Sequence, residues 1–223
     1  MNFTDRTSLG DMLARRIQQL RGKDAVILCL RESSLLTCLT MASQLRAWVY
    51  PLIYAPVYTP DDAHKLLGAF DQDGEFCPLP ELTEDNPLAK SEVPSEVAKI
   101  VNKQRPAALK SMRTQAAAYG VLLDKHRLDG RQVILAADVL TDPLPILVAQ
   151  KFLEDVRPKG LTAVAGNATT ETANLLRLSA AQTDILDILS GVLPNDSSYF
   201  EQADTYTTKQ KHTLTRHIAA YWQ

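Results

Sequence analysis

Six side chains carry most of the polar chemistry that this sequence sets up: Arg31, Ser33, Ser34, Asp138, Thr141 and Asp142. Asp138 closes a short apolar run, Val133 to Ala137, that follows the turn Asp129-Gly130. Thr141 and Asp142 come next, then a helical pattern through Ile146, Leu147, Ala149, Gln150 and Leu153. A buried strand, a loop and a helix start, in that order, place ligands at the carboxyl edge of an open α/β sheet. A carboxylate there can accept hydrogen bonds from hydroxyls or act as a general base. The plainer reading of Asp138 is an acid at a strand end, solvated or capping a turn. Asp142 before Pro143 reads as an N-cap with proline at the first helical position. Pro143 and Pro145 each remove an N–H donor from the helix start. Arg31 follows another apolar run and offers a cation to an anion, while Ser33 and Ser34 read first as caps of the next helix.

Other chemistries find little support. His64, His126, His212 and His217 are dispersed and read as surface residues. His212 and His217 are five apart, off the i, i+4 spacing of a ligand pair. Cys29, Cys38 and Cys77 lack metal-ligand spacing, and Cys29 and Cys38 fall in apolar patterns that predict core packing. No nucleophile elbow, Walker loop or dinucleotide glycine fingerprint is present. The net charge of −2 supplies no basic field for nucleic acid and no polybasic membrane patch. Lys209, Lys211 and Arg216 read as a small solvated face. Tyr199, Phe200, Tyr206, Tyr221 and Trp222 read as packing against the sheet or a second copy. No apolar run reaches the ~20 residues that span a bilayer, and the opening residues lack a signal peptide's apolar core. A cytoplasmic protein is expected.

Periodicity supplies the elements that must position these groups. Asp5 to Leu20 predicts an amphipathic helix with Leu9, Met12, Leu13, Ile17 and Leu20 inward. Ala25 to Leu30 is all apolar, as in a parallel strand buried on both faces. A helix with Leu35, Leu36, Leu39, Ala42 and Leu45 inward follows, then a strand over Trp48 to Tyr54 with an edge or break at Pro51. Residues 55–110 are rich in proline and read as an inserted hood. A turn at Asp71-Gln72-Asp73-Gly74 makes a hairpin there, and a helical arm runs from Ser95 to Tyr119, with Pro106 placed to break or kink it. Strand 132–137, helix 145–157, strand Leu161 to Ala165, helix Thr170 to Leu178, strand Asp184 to Leu189 and a terminal helix Thr205 to Trp222 complete one α/β domain, residues 1–223.

The stretch 129–149 resembles the phosphoribosyl-diphosphate (PRPP) motif of type I phosphoribosyltransferases: an apolar strand, two acids, then a loop rich in Thr and Gly. Phe3-Thr4-Asp5-Arg6 with Leu9-Gly10 and Leu13-Ala14 resembles the opening helix of a bacterial family of predicted type I phosphoribosyltransferases. Thr59-Pro60-Asp61-Asp62-Ala63, Leu67-Gly68-Ala69-Phe70, Asp73-Gly74 and Pro80-Glu81-Leu82 resemble its hood. Ser198-Tyr199-Phe200-Glu201-Gln202, with Thr207 and Lys209, is similar to its C-terminal segment. The motifs run in order over most of the chain. They imply about five mainly parallel strands with helices on both faces, plus a small hood.

Working members of the family transfer ribosyl phosphate from PRPP to a nucleobase, with magnesium bridging the diphosphate. The resemblance places the two acids of the ribose site at Ala137 and Asp138, so one is missing. The phosphate loop falls on Thr141-Asp142-Pro143-Leu144-Pro145, which has no glycine. The pyrophosphate loop, Pro-Arg-Gly-Gly in the family, falls on Arg31-Glu32-Ser33-Ser34, with Glu32 at the arginine and Arg31 one residue away. The basic pair after the second strand falls on Ile53-Tyr54-Ala55-Pro56. The expectation is a degenerate member that acts by binding a small ligand, a second copy or an active relative, without nucleic acid, membrane or metal. The alternatives are an active transferase using Asp138, Thr141, Arg31 and the serines with Mg and PRPP, or a structural subunit. Replacing Ala137→Asp, Asp142→Thr and Pro143→Gly together is expected to restore PRPP binding where the cleft is otherwise intact.

Overall fold

The computed structural model describes residues 2–61, 65–82, 94–120, 124–202 and 207–221. The chain opens with helix α1 (Arg6–Arg16), whose first turn is capped by the Asp5 carboxylate accepting from the Ser8 N–H at 2.6 Å. The helix is shorter than its periodicity suggested, because a 3₁₀ turn at Gln18–Leu20 takes over the last residues. Strand β1 (Ala25–Cys29) is buried along its whole length. Helix α2 (Leu35–Leu45) returns the chain to strand β2 (Trp48–Pro51), which stops at the proline.

The excursion comes next. Strands β3 (Ala55–Tyr58), β4 (Leu66–Phe70) and β5 (Phe76–Pro78) form a small antiparallel sheet in the order β3-β4-β5. The predicted turn joins β4 to β5. Asp71 is buried there and its carboxylate accepts from the N–H groups of Asp73 and Glu75. Helix α3 (Ser95–Tyr119) packs on this sheet and runs unbroken through Pro106. Pro106 has no N–H to offer the carbonyl one turn back at Asn102, and Asn102 is an exposed residue of the helix. The parts of the hood that fall on 62–64 and 83–93 lie outside the described residues.

Strand β6 (Gln132–Leu140), helix α4 (Leu144–Phe152), strand β7 (Gly160–Thr169), helix α5 (Thr170–Ser179), strand β8 (Gln182–Leu189) and helix α6 (Thr208–Tyr221) follow. The central sheet has the order β2-β1-β6-β7-β8 and every neighbouring pair is parallel. Side chains alternate across it. Ile27, Cys29, Ile134, Ala136 and Val164 face a core shared with α1, α2 and α3. Val26, Leu28, Val133, Leu135 and Ala137 face a second core with α4 and α5. Burial on both faces is why these strands read as unbroken apolar runs.

Further boundaries differ from the periodic reading, and that of β6 matters for the site. Strand β6 does not end at Ala137. It continues through Asp138, Val139 and Leu140, all of them fully buried. Its neighbour β1 ends opposite Ala136, so the last four residues of β6 have a strand on one side only. Strand β7 likewise runs on to Thr169, and α4 ends at Phe152 rather than at 157.

The extended β6 and β7 approach closely at Gly166. A Cβ there would lie 2.5 Å from the Asp138 carbonyl oxygen and 2.8 Å from Leu9 Cδ2. Gly166→Ala is expected to destabilise the chain by about 1–3 kcal/mol, read as a lower urea midpoint at an unchanged denaturant slope.

Candidate functional site

The carboxyl edge of the sheet gathers the six predicted residues from two places, the loop after β1 and the end of β6 with its following loop, and the segment after β8 joins them there. Alternation puts Asp138 on the α1–α2 face, the same side as Ile134 and Ala136. Its Oδ2 accepts from Arg6 Nε at 2.6 Å, and its Oδ1 accepts from the Ser34 hydroxyl and from the Val139 N–H at 2.7 Å. Ser34 Oγ in turn accepts the Asp138 N–H at 3.0 Å. The serine thus stands where a strand neighbour would be, satisfying a backbone donor that β1 is too short to reach. Asp138 has no exposed surface and Arg6 is only 6% exposed. The guanidinium also lies 4.4 Å from the centre of the Phe200 ring.

The predicted capping by the serines does not occur. Ser33 and Ser34 lie in a 3₁₀ turn (Glu32–Ser34) that leads into α2, and neither makes a cap hydrogen bond. Ser34 is committed to Asp138, and Ser33 donates to Asp196 Oδ2 at 2.8 Å. Nor is Asp138 a solvated or turn-capping acid, because it sits inside the strand.

Arg31 lies between two acids. Its Nη1 is 3.4 Å from Asp142 Oδ2 and its Nη2 is 3.3 Å from Asp196 Oδ2. The other oxygen of Asp142 accepts from the Leu144 N–H at 3.2 Å. Asp142 therefore does serve the start of α4, although Pro143 stands at the N-cap and the helix begins at Leu144, so the proline is not its first residue. Thr141, Arg6, Arg31, Ser33, Asn195 and Asp196 line a cleft of about 520 Å³.

Glu32, the residue at the family arginine, turns away from this cleft toward α3 and α6. Its carboxylate is 3.3 Å from Gln115 Nε2 and 3.6 Å from His212 Nε2. His212 is half-buried, its ring 4.3 Å from that of Tyr119, and is not the surface residue it was read as. His126 is exposed; His64, Tyr206 and Trp222 lie outside the described residues.

Two partners were invisible in the sequence. Arg6 stood only in a helix motif, and Asp196 carried no signal. Arg6 is 132 positions from Asp138, and no local pattern pairs charges at that distance. The segment after β8 is held over the cleft by backbone pairing with the N-terminus: Phe3 N–H to the Tyr199 carbonyl at 2.9 Å and Glu201 N–H to the Phe3 carbonyl at 2.9 Å. Asn195 caps the 3₁₀ turn Asp196–Tyr199 through its side chain, which fixes Asp196 near Arg31.

The buried thiols and phenols nearby are poor nucleophiles. Burial first, then the neighbouring Cys29, pushes the Cys38 thiol well up. Burial and Asp142 push the Tyr54 hydroxyl up to about 12. Both groups are protonated near neutral pH. Cys29 and Cys38 have no exposed surface, as the apolar pattern required. Incubation with iodoacetamide at neutral pH is expected to leave both thiols unmodified until the chain is unfolded, with mass spectrometry reading the sites. Among the described residues no group of His, Cys, Asp and Glu is arranged to hold a metal ion, and no helix is long and apolar enough to cross a membrane.

No protein-family profile matches the chain, and no curated protein sequence matches it. Solved structures do. TT1426 from Thermus thermophilus is 17% identical with a TM-score of 0.72, covering 98% of this chain and 99% of that one. A hypothetical protein from Neisseria gonorrhoeae with bound ppGpp is 10% identical with a TM-score of 0.48, over 98% of this chain and 96% of that one. A hypoxanthine-guanine phosphoribosyltransferase from Bacillus anthracis is 11% identical with a TM-score of 0.42, over 85% and 84%. Neither of these last two likenesses carries a ligand or an activity over to this chain. The chain shares the fold of TT1426; its own core is a five-stranded parallel sheet beside a three-stranded antiparallel one.

Proposed function

We propose that this chain is a phosphoribosyltransferase-like binding protein that has lost ordinary PRPP-dependent transfer. The observation that carries the reading is the state of the charges at the carboxyl edge. Arg31 is held between Asp142 and Asp196, and Asp138 is held by Arg6 and Ser34. A polyphosphate entering the cleft meets two carboxylates around Arg31. At about 4 Å each such pair of like charges repels by roughly 1 kcal/mol in water and more in a cleft of lower dielectric. The helix start beyond Thr141 offers little in compensation, since Pro143 and Pro145 have no N–H and Leu144 already donates to Asp142.

Asp138 has a structural role in this reading. A general base must reach its proton at about 2.6–3.2 Å, and both oxygens of Asp138 are spent inside the protein. The partner that the fold serves is a small ligand or another protein chain, a second copy or an active relative included.

One observation favours the active alternative. The contacts of Arg31 to Asp142 and Asp196 are 3.4 and 3.3 Å, long for charge-assisted bonds, and Thr141 shares the cleft. An arginine so held can swing to an anion. A pyrophosphate-release assay with PRPP, magnesium and a panel of purine and pyrimidine bases separates the two readings. No release above the protein-free rate is expected. Base-dependent release would establish the transferase.

A further inference from the structure

A larger cavity, about 760 Å³, lies between β3 and α3 and shares no lining residue with the Arg31 cleft. Its volume falls in the range of small-molecule sites, roughly 300–1,000 Å³. One wall is the hood, with Pro56 and Pro60; the other is a single face of α3, where Lys99, Lys103, Ala107 and Ser111 recur every four residues. Ile100 and Ala108 make the apolar floor on that helix.

Of the polar side chains lining this cavity, Gln104 donates to the Tyr58 carbonyl at 2.8 Å. Among the described residues, the ammonium groups of Lys99 and Lys103 make no ion pair or hydrogen bond. Neither does the hydroxyl of Ser111 or that of Tyr54. Two lysines elsewhere on the surface are held by acids: Lys125 by Asp73 and Asp155, Lys151 by Glu75 and Glu154. Helix α3 as a whole is cationic, with Lys99, Lys103, Arg105, Lys110 and Arg113 against the single acid Glu96, in a chain whose net charge is −2. Four unpaired donors around apolar walls are what a ligand with a flat apolar body and one anionic group requires. The body lies against Pro56, Ile100 and Ala108, and the anion takes the lysines.

We infer that the hood cavity is the ligand site of this protein and that it takes a small planar organic anion, a carboxylate, sulfonate or phosphate ester on an aromatic body. The inference rests on the reading of the chain as a binding protein and gives that reading a place and a ligand class. No Asp, Glu, His or Cys lines the cavity to activate Ser111 or a water, so the ligand is bound and not transformed there.

Fluorescence titration with 8-anilinonaphthalene-1-sulfonate, a flat aromatic sulfonate, tests it, alongside the neutral N-phenyl-1-naphthylamine. Saturable binding of one sulfonate per chain is expected. The double variant Lys99→Gln/Lys103→Gln weakens the sulfonate by about tenfold and leaves the neutral probe unchanged. Ala107→Trp, at an exposed helix position that tolerates a large side chain, fills the space and weakens both probes. Absence of saturable sulfonate binding overturns the inference. So does equal affinity in the wild type and the lysine double variant, or binding indifferent to Ala107→Trp, which is adventitious surface binding. PRPP binding at the Arg31 cleft would remove the binding-protein reading while leaving this titration as it stands, so the two failures are distinguishable.

Discussion

Asp138→Ala is expected to lower the unfolding free energy by about 3–5 kcal/mol, the cost of breaking a buried ion pair by removing one member. Arg6 is 6% exposed and loses its 2.6 Å contact, and Ser34 loses the carboxylate its hydroxyl donates to. Arg6→Ala is expected to cost a similar amount, since it strands the fully buried Asp138 and uncovers Phe200. The double variant Arg6→Met/Asp138→Leu removes both charges and keeps most of the volume. Its loss is expected to be well below the sum of the single losses, because an apolar pair of similar size often replaces a buried ion pair at little cost. Urea unfolding of the four proteins measures the coupling. Additive losses would show that the pair is not linked in the way the geometry describes.

The second large effect is a gain. Asp142→Asn together with Asp196→Asn is expected to create pyrophosphate binding at Arg31. Asp142 is half-exposed and Asp196 less so, so solvent screening holds each repulsion near the low end, about 1 kcal/mol. Removing both strengthens pyrophosphate binding by roughly thirtyfold. Asparagine at 142 can still accept from the Leu144 N–H, so α4 keeps its start. Equilibrium dialysis with labelled pyrophosphate reads the change. Equal, undetectable binding before and after would mean that the missing glycines, not the extra carboxylates, close the cleft.

The place of Ala137 argues against the restoration that the sequence suggested. Ala137 is fully buried and faces the α4–α5 core with Val133 and Leu135, on the opposite side of β6 from Asp138. Ala137→Asp would bury a carboxylate among apolar side chains, which costs several kcal/mol before any ligand arrives. Combining it with Asp142→Thr and Pro143→Gly is therefore expected to destabilise the chain rather than restore PRPP binding.

The fold was legible where burial imposed a pattern. Both-face burial wrote β1 and the first part of β6 as apolar runs, and the i, i+4 face of α2 marked its core side. The Asp71–Gly74 turn announced itself through residue type, because Asp71 accepts from two backbone N–H groups and Gly74 takes a positive φ of 83°. The end of β6 was not legible. A carboxylate inside a strand looks like its terminator, and only Arg6, 132 positions away, makes Asp138 tolerable there. Ser34 was misread for the same reason. A serine before a helix is usually a cap, but this one replaces a missing strand neighbour. Asp196 depends on a segment whose position is fixed by pairing with Phe3, and such long-range pairing leaves no local trace.

Calorimetric titration of the purified chain with PRPP and magnesium tests the central claim most directly, with an active type I phosphoribosyltransferase as positive control. No heat of binding from a folded sample is predicted, because Arg31 is held by Asp142 and Asp196 and the loop after Thr141 lacks phosphate donors. Saturable binding with sub-millimolar affinity would contradict the account and return the cleft to the transferases.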